Sequence, residues 1–316
     1  MADAIVIGSG VSGLTTAVSL AEAGLKVVIW TAEPPYATTS AAAGAIWGPY
    51  HVEPQDKVLE WSRHSLAEFT QLANDPSTGV RMTSGIEAAR HLVEEPPWAA
   101  LVPDMSRCHD LPDDFVDGFR FTVPLIDMPV YLSYLQQRFI AAGGSIEIRA
   151  VSALAEATSA AGVVVNCAGL GASTLVPDKG LRPIRGQIVV VENPGIEEFF
   201  SEDTGLSSEL CCVYPHGATV VLGGTAEDDI WEQRPDSLQG QHIVNRCAAI
   251  IPALGQARVI SQRVGLRPTR ASVKVEEDVA KSGSRLIHNY GHGGAGVTLS
   301  WGCADTVTSL VDAGQR

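Results

Sequence analysis

The stretch Ala4-Ile-Val-Ile-Gly-Ser-Gly-Val-Ser-Gly13 decides the fold. Its four apolar residues read as a buried strand. Gly8, Gly10 and Gly13 follow at G-x-G-x-x-G spacing, and an apolar pattern of helical period runs from about Val11 to Ala23 and stops at Gly24. Lys26-Val-Val-Ile-Trp30 supplies the second strand of a βαβ unit. In that context each glycine has a reason: the first makes the tight turn, the second admits a pyrophosphate, and the third lets helix and strand pack closely. The same spacing occurs in αβ turns that bind nothing, so the strand before it and the helix after it carry the reading. The acid that holds an adenosine ribose should end the second strand. Here Thr31 and Ala32 stand there and the first carboxylate is Glu33, so either Glu33 reaches back or Thr31 and backbone hold the ribose.

A second stretch, Leu286 to Trp301, runs as a short apolar strand, then Gly291, Gly293, Gly294 and Gly296 within six residues, then an apolar helical pattern. A loop so poor in Cβ atoms lets backbone approach a flat ligand. A helix starting near Val297 would aim its free N–H groups and positive end at that ligand. The negatively charged edge of a reduced flavin suits such a place. Thr38-Thr-Ser40 with the small run Ala41 to Gly44 suits another close approach to a polar ligand, and Gly162 to Gly169 reads as an apolar strand ending in a small-residue turn.

Composition bounds the rest. With 316 residues, 45% of them apolar, the chain can bury two domains or one large α/β unit. The absence of any run of 18 apolar residues predicts no membrane span. The N-terminus has no basic start or cleavage site, and the last residues no S-K-L tripeptide, so a cytoplasmic protein is expected. A net charge of −14 argues against nucleic acid and anionic membranes as partners. Monomer and homo-oligomer both remain open. Six scattered cysteines without a C-x-x-C pair, two of them vicinal at Cys211 and Cys212, fit free thiols in a reducing compartment. His288 and His292 have H-x-x-x-H spacing without an intervening Glu and with glycines breaking any helix between them, so structural histidines are expected and no metal. No G-x-S-x-G nucleophile turn occurs.

Periodicity predicts helices over 56–73, 128–142 and 237–251, and strands over 145–148, 184–191, 210–215, 218–223 and 257–264. The Pro-, Asp- and Glu-rich stretch 94–118 reads as a long surface excursion. The expected division puts 1–48, 144–178 and 276–316 in one domain and 49–143 with 179–275 in the other.

With these residues in view the chain resembles the D-amino acid oxidase family, the FAD enzymes that include D-aspartate oxidase, over nearly its whole length. The carriers are Gly8 to Gly13, Thr38-Thr-Ser40, Ala45-Ile-Trp-Gly-Pro-Tyr50, Val165 to Gly169, Gly186-Gln187, Gly265-Leu-Arg-Pro268 and His288 to Gly296, the last two being the most specific. The resemblance implies an α/β fold of two interleaved domains: a Rossmann-like FAD-binding domain and a mostly antiparallel β-sheet substrate domain. It implies non-covalent FAD held by Gly8, Ser9, Gly10, Val11, Ser12, Gly13, Thr31, Thr38, Thr39, Ser40, Gly44, Ala45, Ile46, Val151, Cys167, Ala168, Gly169, Arg267, Gly293, Gly294, Ala295, Gly296, Val297 and Thr298. Arg267 falls where the family's substrate-carboxylate arginine stands, and Gly294 where a backbone carbonyl accepts from the substrate amine. Arg270 reads as structural or surface-facing. Cys303, inside an apolar helical run, reads as a core residue and not as a flavin tether.

Two departures bear on specificity. The strand tyrosine usual in the family as a second carboxylate partner is replaced by Cys212, and Tyr214, two residues on and so on the same strand face, either takes over part of that role or merely lines the pocket. The segment 201–212, which corresponds to the eukaryotic active-site lid, is short and lacks its tyrosine. The activity implied is oxidation of a D-amino acid by hydride transfer to flavin N5, with O₂ as acceptor and a 2-oxo acid, ammonia and hydrogen peroxide as products. Neutral D-amino acids of moderate to large size are the expected substrates. D-aspartate would instead require Arg182, Arg185 or Arg234 as a second cation. A glycine or sarcosine oxidase, a flavoprotein without catalysis and a nicotinamide dehydrogenase are the other readings.

Overall fold

The computed structural model describes residues 2–49, 52–202, 209–279 and 283–314. β1 (Ala4–Ile7) is buried at every position, and Gly8 leaves it at φ +103° to enter α1 (Val11–Glu22). A Cβ on Gly13 would stand 2.0 Å from the Gly8 carbonyl oxygen, so only glycine lets this helix lie so close to its strand. β2 (Val27–Thr31) then pairs in parallel with β1, from Ala4↔Val27 to Ile7↔Trp30.

The chain continues through α2 (Gln55–Leu72), β3 (Val80–Ala89), β4 (Ser106–Arg107), β5 (Asp117–Ile126) and α3 (Met128–Ala141). β6 (Ser145–Ile148), α4 (Leu154–Thr158), β7 (Val163–Asn166) and α5 (Ala172–Leu175) follow. Next come β8 (Arg182–Glu192), β9 (Phe199–Glu202), β10 (Glu209–His216), β11 (Thr219–Thr225), β12 (Glu227–Asp228) and α6 (Ser237–Ile250). β13 (Val259–Val279), β14 (Arg285–His292) and α7 (Gly296–Ala313) end it.

The strands lie in the order β4-β5-β3-β9-β10-β11-β8-β13-β14-β7-β1-β2-β6, with β12 beside β8. From β14 to β6 every pairing is parallel, which is the dinucleotide-type half. The other half is antiparallel except where β3 meets β9. The two halves share β13, whose first part pairs with β8 and whose last part pairs with β14. A register shift between Thr269 and Lys274 turns the strand from one half to the other.

Helices cover the parallel half because their apolar faces match it. On α2, Val58, Trp61, Ser65, Phe69 and Leu72 recur at helical spacing and are buried. Burying Phe69 and Leu72 contributes roughly 1.5–3 kcal/mol each. α2 approaches α7 at Gly302, where a Cβ would stand 2.3 Å from the Trp61 backbone. The Thr15 hydroxyl of α1 reaches the Ser300 carbonyl at 3.2 Å, tying α1 to α7 as well. Asp236 caps α6 by accepting from the Leu238 and Gln239 amides.

Three expectations need correction. β3, β5 and β9 are strands that local periodicity did not mark. The strand expected over 257–264 runs on through Gly265 and Pro268 to Val279, because β8 pairs with it residue by residue as far as Thr269. The stretch 94–118 is not wholly a surface excursion: Val102 is buried, and Trp98 packs edge-on against Trp47 and Phe121 with ring centroids 5.8 and 5.5 Å away.

Candidate active site

A cavity of about 720 Å³ follows the carboxyl ends of β1, β2 and β7 and continues under the antiparallel half. That edge is where ligands bind in open α/β sheets. Of the residues expected to hold the cofactor, every one lines this cavity except Gly13 and Ala295. Gly13 serves instead as the helix–strand contact, and Ala295 packs with Leu299 and Cys303 in the core between α2 and α7. Cys303 is fully buried there, and burial pushes its thiol well up. Tyr50 and residues 203–208 of the short 201–212 segment lie outside the described residues.

At one end Gly8 and Gly10 leave room that a side chain would fill. A Cβ on Gly8 would stand 2.5 Å from the Cys167 carbonyl oxygen, and one on Gly10 3.1 Å from Ser40 Oγ. The Val11 amide, first in α1, donates to Ser40 Oγ at 3.0 Å. Helix N-terminus, hydroxyl and bare backbone together form a cradle for a phosphate-bridged ligand. The Thr31 hydroxyl sits between Ser9 Oγ at 3.0 Å and the Glu33 carbonyl at 2.7 Å, while the Glu33 side chain is exposed beside the cavity. Periodicity gave no hint of Arg149, whose guanidinium lies 3.7 Å from the centre of the Trp30 ring; both line the same end as Val151.

The glycine turn after β14 forms the middle of the cavity. Gly291 and Gly293 take φ of +85° and +55°, which lets the chain turn sharply from β14 into α7, where Gly296 is the first residue. The Thr298 hydroxyl exchanges hydrogen bonds with Gly48, 3.0 Å to its oxygen and 3.1 Å to its nitrogen, closing the loop over the α7 N-terminus. Behind the turn His292 Nε2 is 3.0 Å from Asn289 Oδ1, and Asn289 Nδ2 donates to Thr16 Oγ1 at 3.0 Å. His288 is fully buried beside Asn166. His288 therefore belongs to the packing beneath the turn, and His292, also buried, lies at the cavity wall.

The other end is built on the antiparallel half. Arg267 on β13 reaches across β8, and its guanidinium occupies the place where Gly186 has no side chain; a Cβ there would stand 2.5 Å from Nη1 and Nη2. Nη1 donates to the Thr225 carbonyl at 2.9 Å, which fixes the fork facing the cavity. Cys212 and Tyr214 both line the cavity, as i, i+2 positions of one strand should. Cys212 Sγ lies over Gly223, and the Tyr214 ring lies against Gly44 with its hydroxyl 3.5 Å from Ser201 Oγ. Trp98, Phe121 and Phe199 add apolar wall.

Burial sets the electrostatics. It raises the Tyr214 phenol well above its ordinary range, with Cys212 adding to the shift, and pushes the Cys212 thiol up to about 12. It brings His292 down to about 4. Near pH 7 Cys212 and Tyr214 therefore keep their protons and are not bases, while His292 is unprotonated, only weakly basic, and has its Nε2 against Asn289. Arg270 is 2.8 Å from Asp178 and lies off the cavity. Arg185, 4% exposed, is held by Glu227, Gln239, Gln187 and the Arg234 and Glu232 carbonyls. Arg182 pairs with Asp228. Among the described residues Arg149 and Arg267 are the only Lys or Arg side chains on the cavity, so Arg182, Arg185 and Arg234 offer no second cation to a substrate.

These features are those of a flavin-dependent oxidoreductase, and the chain belongs to the DAO family, FAD dependent oxidoreductase, whose profile matches residues 3–310. It is 44% identical to a D-amino-acid oxidase of Rubrobacter xylanophilus, over 99% of this chain and 97% of that one. It is 47% identical to a D-amino-acid oxidase of Streptomyces coelicolor, over 98% and 96%, and 33% identical to human D-aspartate oxidase, over 97% and 93%. Its fold is similar to that of glycine oxidase from Bacillus cereus, with a TM-score of 0.78 at 20% identity over 100% of this chain and 96% of that one. No helix among the described residues is long and apolar enough to cross a membrane.

Proposed function

We propose that this protein is a D-amino-acid oxidase: it converts a D-amino acid, O₂ and water to a 2-oxo acid, ammonia and hydrogen peroxide. The observation that carries the reading is the guanidinium of Arg267 seated on the bare backbone of Gly186, on one cavity with the three glycine turns of an FAD site. A planar fork of permanent charge binds a carboxylate by paired hydrogen bonds. Arg267 holds the substrate α-carboxylate in this reading, Tyr214 supplies a neutral O–H to the same group, and the Gly294 carbonyl accepts from the α-amine. FAD, bound non-covalently in this reading, would supply the acceptor for the two electrons, with O₂ as the final oxidant. Gly8 to Ser12 with Ser40 hold its pyrophosphate, Val151 with Arg149 and Trp30 its adenosine end, and Gly293 to Thr298 its flavin end.

The chain's own contribution is positioning. The substrate amine enters or becomes neutral at Gly294, and its lone pair drives departure of the Cα hydrogen with its electron pair; the amine then sheds a proton to solvent as the imine forms. Water hydrolyses the imino acid afterwards. Cys212 and Tyr214, the titratable groups beside Arg267, keep their protons near pH 7, which supports a step without a side-chain base. Cys212 where the family has tyrosine, and aromatic walls beyond it, favour neutral D-amino acids of moderate to large size; the engagement of Arg182 and Arg185 away from the cavity argues against D-aspartate. The division into residues 1–48, 144–178 and 276–316 against 49–143 and 179–275 remains part of this proposal. A peroxide assay of the purified protein over D- and L-amino acids, glycine and sarcosine tests it: turnover of D-amino acids alone is expected, and preference for glycine or sarcosine would replace it with the amine-oxidase reading.

A further inference from the structure

The strand that carries Cys212 and Tyr214 to the cavity shows its other face to a separate core. Side chains alternate along β10, so Cys211 and Val213 point away from the cavity and pack with Ile243, Val244 and Cys247 of α6. There Cys211 Sγ and Cys247 Sγ lie 3.8 Å apart, both fully buried. Cys247 Sγ is also 3.7 Å from the Cys212 carbonyl oxygen and 3.8 Å from that of Gly223, so the pair sits directly behind the cavity wall. The pairing of β10 with β11 is irregular between Glu209 and Cys212, and Cys211 falls in that break. A broken ladder opens at lower cost than a regular one. Buried thiols are ordinarily inert, and local charge decides which of them react. The contact with Cys247 lowers the Cys211 thiol against the effect of burial, and the Arg246 and Arg90 guanidiniums add to the lowering. The same contact and burial push Cys247 well up, so one sulfur is favoured as thiolate while its neighbour keeps the proton.

We propose that Cys211 and Cys247 form a modification site, a thiol pair that hydrogen peroxide converts to a disulfide; the source of that peroxide rests on the D-amino-acid oxidase reading. The Cys211 sulfur takes one oxygen of H₂O₂ as the O–O bond breaks, and the other oxygen leaves as water. The Cys247 sulfur then attacks the resulting sulfenic sulfur, the S–O bond breaks, and a second water leaves with the Cys247 proton. Two thiols and one peroxide thus become one disulfide and two waters, the sulfurs giving up the two electrons that reduce the peroxide. Closing from 3.8 Å to roughly 2 Å asks each side chain to swing by about 1 Å. Cys212 is no rival partner: it projects to the opposite face of the strand, and its thiol, pushed up to about 12, stays protonated. Peroxide is formed one wall away from the pair. Closure onto Cys247 consumes it and spares Cys211 the irreversible steps of sulfur oxidation.

The test is peptide mapping without reduction of the flavin-loaded protein, after reagent H₂O₂ and, separately, after aerobic turnover of D-norleucine. The peptide holding Cys211 should be joined to the one holding Cys247, and dithiothreitol should part them. Cys212→Ser treated with reagent peroxide should give the same link, with no vicinal thiol to confuse it. In Cys247→Ser, Cys211 has no partner and should instead gain two or three oxygens. Cys211 untouched in that variant overturns its role as the attacking sulfur. Thiols at 211 and 247 that survive excess reagent peroxide overturn the proposal, as does a disulfide joining either of them to another cysteine. So does turnover that releases peroxide yet leaves the pair reduced, and the oxidase reading survives all of these results. A pair that reagent peroxide joins, in a protein that oxidises no D-amino acid, would instead sink the oxidase reading and leave the site standing. Should the variants fail to fold, fragmentation between Cys211 and Cys212 in the parent's linked peptide decides, and a link through Cys212 overturns the proposal.

Discussion

Gly186→Ala tests the carboxylate site without touching a charged residue. The new Cβ would stand 2.5 Å from both terminal nitrogens of Arg267 and 2.6 Å from Cζ. Ordinary contact needs about 3.5–4.0 Å, so something must move by roughly 1 Å or more. Gly186 lies within β8, paired on one side with Gly265 of β13, whereas the guanidinium is the far end of a flexible chain, so the fork gives way. Displacing it spoils paired hydrogen bonds to a planar carboxylate and costs roughly 1.5–3 kcal/mol, or about 10- to 150-fold in kcat/KM. Peroxide release from D-norleucine, normalised to flavin absorbance, measures it. A specificity constant close to the parent's, with flavin content retained, would refute the claim that Arg267 is held by this contact to receive substrate.

Arg267→Leu should lower kcat/KM by about 30-fold to several thousand-fold, as for one partner removed from a buried charge pair worth roughly 2–5 kcal/mol, while FAD stays bound. Gly8→Ala forces a side chain onto φ +103° and to within 2.5 Å of the Cys167 carbonyl oxygen, so purified protein should retain less flavin, by the ratio of visible to ultraviolet absorbance. Asp117, buried, is lowered to about 2 chiefly by the Val93 amide and then by Arg107. Its contribution to stability is present above the usual carboxylate pKa near 3.9 and is lost as pH falls toward 2, so Asp117→Asn should flatten the acid side of the Tm–pH curve.

How much was legible follows from where the information sits. The β1–α1–β2 unit announces itself because strand, turn and helix are adjacent and each glycine answers a local need; the clash of any Cβ on Gly13 with Gly8 is the same fact seen in space. Arg267 and the turn after β14 were legible through the residues around them. β3 and β9 were not: β3 carries Ser84, Gly85 and Glu87 among its apolar residues and is held by pairing with β5 along its whole length, and β9 has four residues held between β3 and β10. Trp98 is hidden in a segment of surface composition and is fixed by Trp47 and Phe121, distant in sequence. The strand expected over 257–264 is carried on through Gly265 and Pro268 by its pairing with β8.

Anaerobic mixing of the purified, flavin-loaded protein with single enantiomers tests the central claim most directly. D-norleucine and D-methionine should bleach the flavin absorbance, and admitting O₂ should restore the colour with one hydrogen peroxide formed per amino acid oxidised. The L-enantiomers should leave the spectrum unreduced. Bleaching by L-amino acids, or by glycine or sarcosine and not by D-amino acids, would contradict the account, as would a yellow protein that no amino acid reduces.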